Sequence, residues 1–269
     1  MITVKAPSKA RRGLRRFLGD RRALSVTLPT VIISSAILIM MGIATFVSAN
    51  ILELQIQNTE FEQAKMNMML LDEIIEDVSL KQGSGSYLKF NLRTGSLSVV
   101  NGTGNLKVFV KGYSNPILNT SSSLTLAYHA GSLASGSEEQ LRGTDNLTVT
   151  GMSAPLCFLR VKTGGGLWIR LDYDRIRLVD SGLVVVNGST YHFLEVTFLR
   201  VVRGSLGGSE RLNLKAQNAG ISVSSTLYQS QNITIRVESN LKSQEYPFSS
   251  TAQGIIVTVT EVQVKISTI

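Results

Sequence analysis

The sequence predicts an α+β protein in which one long N-terminal helix, first transmembrane and then amphipathic, precedes an all-β domain of β-sandwich type. Three observations predict this class. Residues 23–52 contain no charged side chain. Residues 51–80 contain no Gly or Pro and continue an apolar heptad spacing. From residue 83 onward, short alternating runs rich in Val, Ser, Thr, Leu and Gly are separated by turn-forming residues, the pattern of β-strands.

The charge is distributed in blocks, and this distribution bears on topology. Residues 1–23 carry eight Lys/Arg and one Asp, a net charge of +7. Residues 51–80 carry seven acids and one Lys, a net charge of −6. Residues 81–269 carry eighteen bases and eleven acids, again +7. The overall +8 therefore comes mainly from a basic leader, and a nucleic-acid partner is excluded as an explanation of it.

The uncharged segment predicts a membrane span over about residues 26–50. Thirty residues without a charge are longer as a helix than the ~30 Å hydrocarbon core requires. Arginines precede the segment, and Glu53 is the first charge after it. The positive-inside rule then predicts a cytoplasmic N-terminus and an extracellular C-terminal domain, with membrane lipid as one partner. An ordinary secretory signal fits poorly, because the apolar run is too long.

The helix is predicted to continue past the membrane, over residues 24–82, until the breaker Gly83. One apolar stripe at heptad spacing runs through both parts and predicts a helix-packing surface. Its residues are Ile33, Met40, Val47, Leu54, Phe61, Met68 and Ile75. Beyond the membrane this stripe needs a cover. We expect neighbouring helices to cover Phe61 and Met68, and the chain's own β domain to cover the part near Ile75.

The junction Arg21-Arg22-Ala23-Leu24-Ser25 resembles the class III leader junction of archaeal type IV pilins and archaellins. In that family a basic leader, here residues 1–23, is cut off before the hydrophobic helix. Arg22 matches the charged position, Ala23 the small residue before the cut, and Leu24 the new N-terminus. The resemblance covers roughly residues 1–80. The fifth mature position is Leu28, where bacterial pilins have Glu, and Pro29 is expected to kink or cap the start of the helix.

The resemblance implies a subunit of an extracellular, pilus-like filament that serves in adhesion. Its implied partners are a prepilin-peptidase-like protease and copies of the chain itself, with surface glycans or an S-layer as further candidates. The alternative is an uncleaved, membrane-anchored envelope protein whose β domain binds S-layer or archaellum components. Sequencing of the mature N-terminus separates the two.

Residues 83–269 predict about a dozen strands in the β domain, and the sequence leaves open whether they include a second small sheet. The alternating runs are 87–92, 97–100, 106–110, 124–128, 147–150, 158–161, 167–173, 183–186, 191–202, 212–216, 233–237 and 255–266. The turn signals between strands include Asn101-Gly102, Asn187-Gly188 and the run 164–166. The polar stretch from Gly131 to Asp145 is predicted to be an exposed loop or an internal boundary. Five N-glycosylation sequons occur in this domain and predict a glycoprotein, at Asn101, Asn119, Asn146, Asn187 and Asn232.

No motif in the sequence predicts an enzyme, a cofactor or a metal site. His129 and His192 are far apart in the sequence and match no metal-ligand spacing, and a Ser/His/Asp triad has no support from sequence. The densest polar run, from Trp168 to Arg175, is predicted to form cross-strand ion pairs; a calcium site or paired carboxylates is the weaker alternative. Cys157 is the only cysteine and is predicted to be a small buried residue.

Overall fold

The computed structural model describes residues 21–102, 104–205, 211–239 and 242–268; for residues 21–27 and Arg211 it describes the backbone alone. Helix α1 spans Arg21–Ser79, 59 residues, with Pro29 inside it. The predicted helix, 24–82, therefore has the right extent, although α1 includes the junction from Arg21 and ends before Leu80. The first 20 residues of the predicted leader lie outside the described residues.

The chain after α1 forms fifteen strands within the described residues. Most of them coincide with the predicted runs. Their bounds are β1 (Gly85–Asn91), β2 (Ser96–Val100), β3 (Asn105–Val110), β4 (Leu118–Ser121), β5 (Thr125–His129), β6 (Glu139–Arg142), β7 (Thr148–Thr150), β8 (Phe158–Thr163), β9 (Leu167–Asp172), β10 (Ile176–Val186), β11 (Ser189–Arg203), β12 (Arg211–Tyr228), β13 (Asn232–Ser239), β14 (Lys242–Ser249) and β15 (Gly254–Thr268).

The described strands form three sheets. Sheet A has the order β1-β12-β15-β11-β10-β7, sheet B the order β2-β5-β9-β8-β6, and sheet C the order β14-β13-β3-β4. In sheet A, β11 is parallel to β15 and β10 is parallel to β7, whereas the remaining neighbours are antiparallel. The predicted class, a long apolar helix followed by a mostly β domain, is confirmed.

Two hydrophobic cores lie on opposite faces of sheet A. Along β15, Ile255 belongs to one core and Val264 to the other. Along β11, Leu194 and Val201 divide in the same way. Successive side chains of a strand point to opposite faces of the sheet. The two residues of each pair are separated by an odd number of positions, so they point to opposite faces of sheet A. The first core contains residues of α1, sheet B and sheet A, and the second contains residues of sheets A and C.

The chain divides into two compact units, residues 1–55 and 56–269. The second unit includes the part of α1 from Ile56 onward and all three sheets. The first unit, in its described part, is the apolar part of the helix. The boundary lies inside α1, because apolar side chains are exposed on one side of it and buried on the other.

The segment from Gly131 to Asp145 is not simply the exposed loop or boundary that the sequence predicts. It contains strand β6, which pairs with β8 at the edge of sheet B. It also contacts α1: the N–H of Leu133 donates to the Oε1 of Gln57 at 2.8 Å, and the N–H of Ser135 donates to the Oδ1 of Asn58 at 2.9 Å. Its backbone N–H groups bind polar side chains of the helix, which a polar composition does not indicate.

Candidate functional site: helix α1 and its attachment to the β domain

The N-terminal part of α1 exposes an unbroken apolar surface. Within the described residues, one helical segment, Leu28–Ser79, is long and apolar enough to cross a membrane; the mean hydropathy of its most apolar window is 2.3 and none of that window is buried. Of the predicted packing stripe, Ile33, Met40, Val47 and Leu54 are 59%, 70%, 48% and 43% exposed. Side chains of this type in water are costly, so this surface requires lipid or protein around it.

Two hydroxyls in this part of α1 are satisfied inside the helix. The hydroxyl of Ser35 donates to the carbonyl of Ile32 at 2.9 Å. The hydroxyl of Thr45 donates to the carbonyl of Met41 at 2.8 Å. Such back-bonding removes the need for water at these hydroxyls. At these two positions the segment is therefore compatible with an apolar environment.

The C-terminal members of the predicted stripe lie in the core of the chain's own β domain. Phe61, Met68 and Ile75 are at most 1% exposed and belong to the first core. The expectation that neighbouring helices cover Phe61 and Met68 is therefore wrong, because strands of the same chain already cover them. Heptad spacing shows that a stripe must be buried but does not show which surface buries it. The prediction of packing between subunits remains for the four exposed members.

A buried carboxylate fastens α1 to the turn between β1 and β2. Glu60, 8% exposed, accepts N–H bonds from Arg93, Thr94 and Gly95 at 3.0–3.2 Å, and a hydroxyl bond from Thr94 at 2.7 Å. The hydroxyl of Tyr128 donates to it at 3.2 Å. Burial by itself raises the pKa of Glu60, but these bonds outweigh burial, and its pKa lies below the ordinary value.

A second carboxylate lies deeper under the helix. Asp72 is fully buried and accepts a 2.6 Å bond from the hydroxyl of Tyr173. The Nε of Arg142 lies 3.0 Å from its Oδ2, an ion-pair distance without hydrogen-bond alignment. Burial raises the pKa of Asp72, with Tyr173 and Arg142 acting in the opposite direction. Burial and the Asp72 charge raise the pKa of Cys157, so this thiol is an inert core group, as the sequence predicts.

Charged side chains and a cap complete the attachment near the end of α1. Glu76 accepts from the Nη2 of Arg177 at 3.0 Å and from the Nη2 of Arg142 at 3.4 Å. Asn218, at the bulge of β12, donates its amide to the carbonyls of Val78 and Ser79, both at 3.1 Å. These carbonyls have no partner among the N–H groups of the helix. Asn218 therefore satisfies the carbonyl of Ser79, and it shares the carbonyl of Val78 with the hydroxyl of Ser84, which donates at 2.8 Å. Sequence reasoning identified none of these polar contacts.

The leader junction lies at the N-terminal limit of the described residues. Arg22, Ala23 and Leu24 form part of α1, and only their backbone is described. Cleavage between Ala23 and Leu24 therefore stays a prediction.

The five sequon asparagines, Asn101, Asn119, Asn146, Asn187 and Asn232, are all exposed. Asn187 has a φ of 52° at the tip of the β10–β11 hairpin, the left-handed conformation that its Asn-Gly turn requires. An exposed side chain is needed for glycan attachment, so these positions are sterically suited to it. Glycosylation itself stays a prediction.

One Ser–His–Asp chain occurs that the sequence did not suggest. The Nε2 of His192 lies 2.5 Å from the Oδ1 of Asp180, and its Nδ1 lies 2.9 Å from the Oγ of Ser250. That Oγ also accepts the N–H of Ala252 at 3.0 Å, which fixes it within its own loop. The adjacent cleft of about 270 Å³ is lined by Asp180 and Phe248 but not by Ser250 or His192. This arrangement fits a clasp between a strand bulge and a loop better than a nucleophile facing substrate.

Among the described residues, no group of three or more His, Cys, Asp or Glu could hold a metal ion. The run from Trp168 to Arg175 divides between two environments: Arg170 and Asp172 lie on the outward face of β9, whereas Asp174 accepts the N–H of Ser123. Burial and neighbouring Asp172 raise the pKa of Asp174 to about 6. The predicted cross-strand ion pairs do not form at Arg170.

Comparison with known proteins finds no matching protein family, no matching curated protein and no matching solved structure.

Proposed function

We propose that this chain is a pilin-like subunit of an extracellular filament, similar to archaeal type IV pili, and that it assembles through the apolar N-terminal part of α1. One observation carries the proposal. A single helix has its C-terminal part fixed in its own β domain and exposes large apolar side chains along its N-terminal part, from Leu28 to Leu54. In a subunit of this kind, the exposed apolar part of the helix can pack against other copies while the β domain stays folded.

The proposed mechanism has two environments for the same helix. In the first, residues 26–50 span the membrane, with the basic leader in the cytoplasm and the β domain outside. In the second, a prepilin-peptidase-like protease has cut between Ala23 and Leu24, and the helix packs among copies of itself. An apolar helix surface is stable in lipid and in a helix bundle alike.

The attachment of α1 to the β domain supports this mechanism. Transfer from lipid to a filament would pull on the junction between the helix and the domain. Glu60, Asp72 and Glu76 bind three separate parts of the β domain through the contacts described above. Charge-assisted hydrogen bonds contribute about 1.5–3 kcal/mol each, so the domain is firmly held.

The β-sandwich character of the external domain is also part of the proposal. Sheets A and C enclose the second core, as the two layers of a sandwich do. Sheet B and α1 add a further layer on the opposite face of sheet A. Domains of this kind would coat the filament and carry its adhesive surface, glycosylated at the exposed sequons.

Intact-mass measurement of the natively produced protein tests the proposal. The expected mature chain begins at Leu24. Arg22→Glu should prevent the cut, whereas Arg16→Glu, which makes the same charge change away from the junction, should leave it unaffected. A wild-type product that retains Met1 would contradict the pilin-like proposal and favour the uncleaved envelope protein that binds S-layer or archaellum components.

A further inference from the structure

Sheet B presents basic side chains at neighbouring positions on its outward face. The inward residues of β8 and β9, Val161, Ile169 and Leu171, are at most 2% exposed and lie in the first core. The alternate residues therefore point away from the core. The register places Arg160 directly opposite Arg170 and Lys162 directly opposite Trp168.

This arrangement of charge is unfavourable in the chain by itself. Side chains directly opposite across antiparallel strands have Cβ atoms about 4.5–5.5 Å apart, and like charges there are destabilising. Among the described residues, no carboxylate forms an ion pair with Arg160, Lys162 or Arg170. The guanidiniums instead lie over rings: Arg160 is 4.7 Å from the ring of Phe158, and Arg170 is 5.8 Å from that of Trp168. Both arginines keep unused hydrogen-bond donors.

Carboxylates near this face are already engaged. Asp172 lies on the same face of β9 and accepts the N–H of Asp174 at 3.0 Å. Glu138 accepts the N–H and the hydroxyl of Thr163 at 3.3 and 3.2 Å. Lys242 binds the carboxylate of Asp145, and Lys242 and Arg160 both lower the pKa of that carboxyl, so Asp145 lies within electrostatic range of Arg160. Within the described residues, the three basic side chains nevertheless form no direct ion pair.

An aromatic platform borders the basic side chains. The rings of His129 and Trp168 lie 4.2 Å apart, centroid to centroid, with 35° between their planes. Gly166, in the turn before β9, has a φ of +118°, and a Cβ there would lie 2.3 Å from the Nε2 of His129. The turn thus fits closely against the imidazole and holds it beside Trp168. Trp168 is half-buried, so its position is fixed and part of its ring remains accessible.

We propose that this face of sheet B binds an acidic polysaccharide. In the proposed complex, Arg160, Arg170 and Lys162 bind carboxylate groups along the polymer, and a sugar ring packs on Trp168. A guanidinium matches a carboxylate with two parallel hydrogen bonds. A polymer that carries one acid on each sugar places charge and an apolar ring face side by side, as this surface does. The inference does not depend on filament assembly.

Two other polyanions fit the same surface less well. A single-stranded nucleic acid requires a series of aromatic rings for successive bases, and this face offers one partly accessible indole. An anionic membrane surface favours projecting apolar side chains beside the basic ones, whereas the ring of Trp168 packs against that of His129 with 35° between their planes. Both become outcomes of the test.

The test uses the full chain in detergent micelles and measures binding to polygalacturonate, with fully methyl-esterified polygalacturonate as the uncharged match. The wild type should bind the acid form, more weakly as salt rises from 50 to 200 mM, and should bind the ester at least about tenfold more weakly. The variant Arg160→Gln/Lys162→Gln/Arg170→Gln removes one exposed and two half-buried basic contacts, and its affinity for the acid form should fall by about tenfold or more.

The matched control removes three lysines from sheet A, in Lys89→Gln/Lys215→Gln/Lys265→Gln, and should keep wild-type affinity. Equal losses in both triple variants would show that net charge alone drives binding and would overturn the proposal. Equal or tighter binding to DNA of the same charge, or to vesicles containing anionic lipid, would also overturn it.

A separate variant tests the platform. Trp168→Ala should lower the affinity without changing how the affinity depends on salt concentration. Trp168→Phe should restore most of the lost affinity, because a ring is present again. Since both variants keep all the charges, an unchanged affinity in Trp168→Ala would remove the sugar-stacking part of the proposal. Thermal unfolding of each variant confirms that the domain is folded before binding is compared.

Discussion

Two phenylalanines of α1 allow a matched pair of substitutions to test whether the C-terminal part of the helix belongs to the domain core and the N-terminal part does not. Phe61 is 1% exposed within the first core, whereas Phe46 is 69% exposed in the apolar N-terminal part. Phe61→Ala removes a ring packed in the domain core and should lower the free energy of unfolding by about 3–5 kcal/mol. Phe46→Ala removes the same atoms from an exposed position and should change it by less than about 0.5 kcal/mol.

The magnitude for Phe61 follows from its surroundings. The Cε1 of its ring lies 3.3 Å from the position that a Cβ on Gly136 would occupy, so the segment before β6 closes directly over the ring. The Nζ of Lys65 lies 5.0 Å from the ring centroid. A cavity at this position is bounded by helix and sheet, which cannot collapse freely, and the cost should lie toward the upper end of the range.

Urea unfolding of the full chain in detergent measures both variants. Trp168 is the only tryptophan and lies on β9, so its fluorescence reports on the domain that contains Phe61. Equal unfolding midpoints for Phe61→Ala and Phe46→Ala would refute the assignment of Phe61 to the domain core. A large loss in Phe46→Ala would refute the assignment of the N-terminal part of α1 to a surface outside that domain.

Two further predictions concern the external domain. Glu60→Gln should destabilise the domain at pH 7, since the folded-state pKa of Glu60 is lowered. The contribution of Glu60 is complete above the unfolded pKa of 4.5 and is lost as pH falls through the folded value, so the difference from wild type should shrink in acid. A constant difference would contradict the role of Glu60 in fastening α1 to the turn between β1 and β2. Glycopeptide mass spectrometry of natively produced protein should find sugar on at least two of the five exposed sequon asparagines, and five bare sites would contradict a glycosylated surface protein.

The sequence was informative where periodicity was strong. The apolar stripe of α1 and most strands could be placed from spacing alone, because burial on one side leaves a period of 3.5–3.6 or 2. Strand β15 shows the limit of this approach, because its apolar residues do not alternate with polar ones. Apolar residues occupy both parities along it, from Ile255 to Ile266, because its two halves contribute to cores on opposite faces of sheet A. Such a strand predicts burial but not the arrangement of layers.

Polar residues account for most of what sequence reasoning missed. Strands β4, β6 and β14 were not predicted, because short edge strands rich in Asn, Ser, Glu and Lys have no apolar alternation to reveal them. Glu60 and Asp72 look like members of a solvated helix face, yet they are buried and bonded to distant residues. The partners that make this burial favourable, such as Tyr173, lie about a hundred positions away in the chain.

The basic face of sheet B was missed for a related reason. Within the sequence, the arginines between Trp168 and Arg175 alternate with acids, which favours ion pairing. Asp172 shares the outward face of β9 with Arg170, but its carboxylate accepts the N–H of Asp174, and the register sets Arg160 directly opposite Arg170. Cross-strand register follows from turn geometry and the other strands, and the spacing of one segment does not determine it.

Cross-linking between subunits tests the central claim, that the exposed apolar part of α1 is an assembly surface, most directly. Met40→Cys introduces a thiol at a position that is 70% exposed, while the only native cysteine, Cys157, is fully buried. A short bis-maleimide applied to natively produced material should give a covalent dimer in the mature, processed fraction, because each chain offers one accessible thiol. Tyr87→Cys, 73% exposed on the β domain, provides the comparison at a surface outside the helix. Processed Met40→Cys protein that stays monomeric under these conditions would contradict the claim.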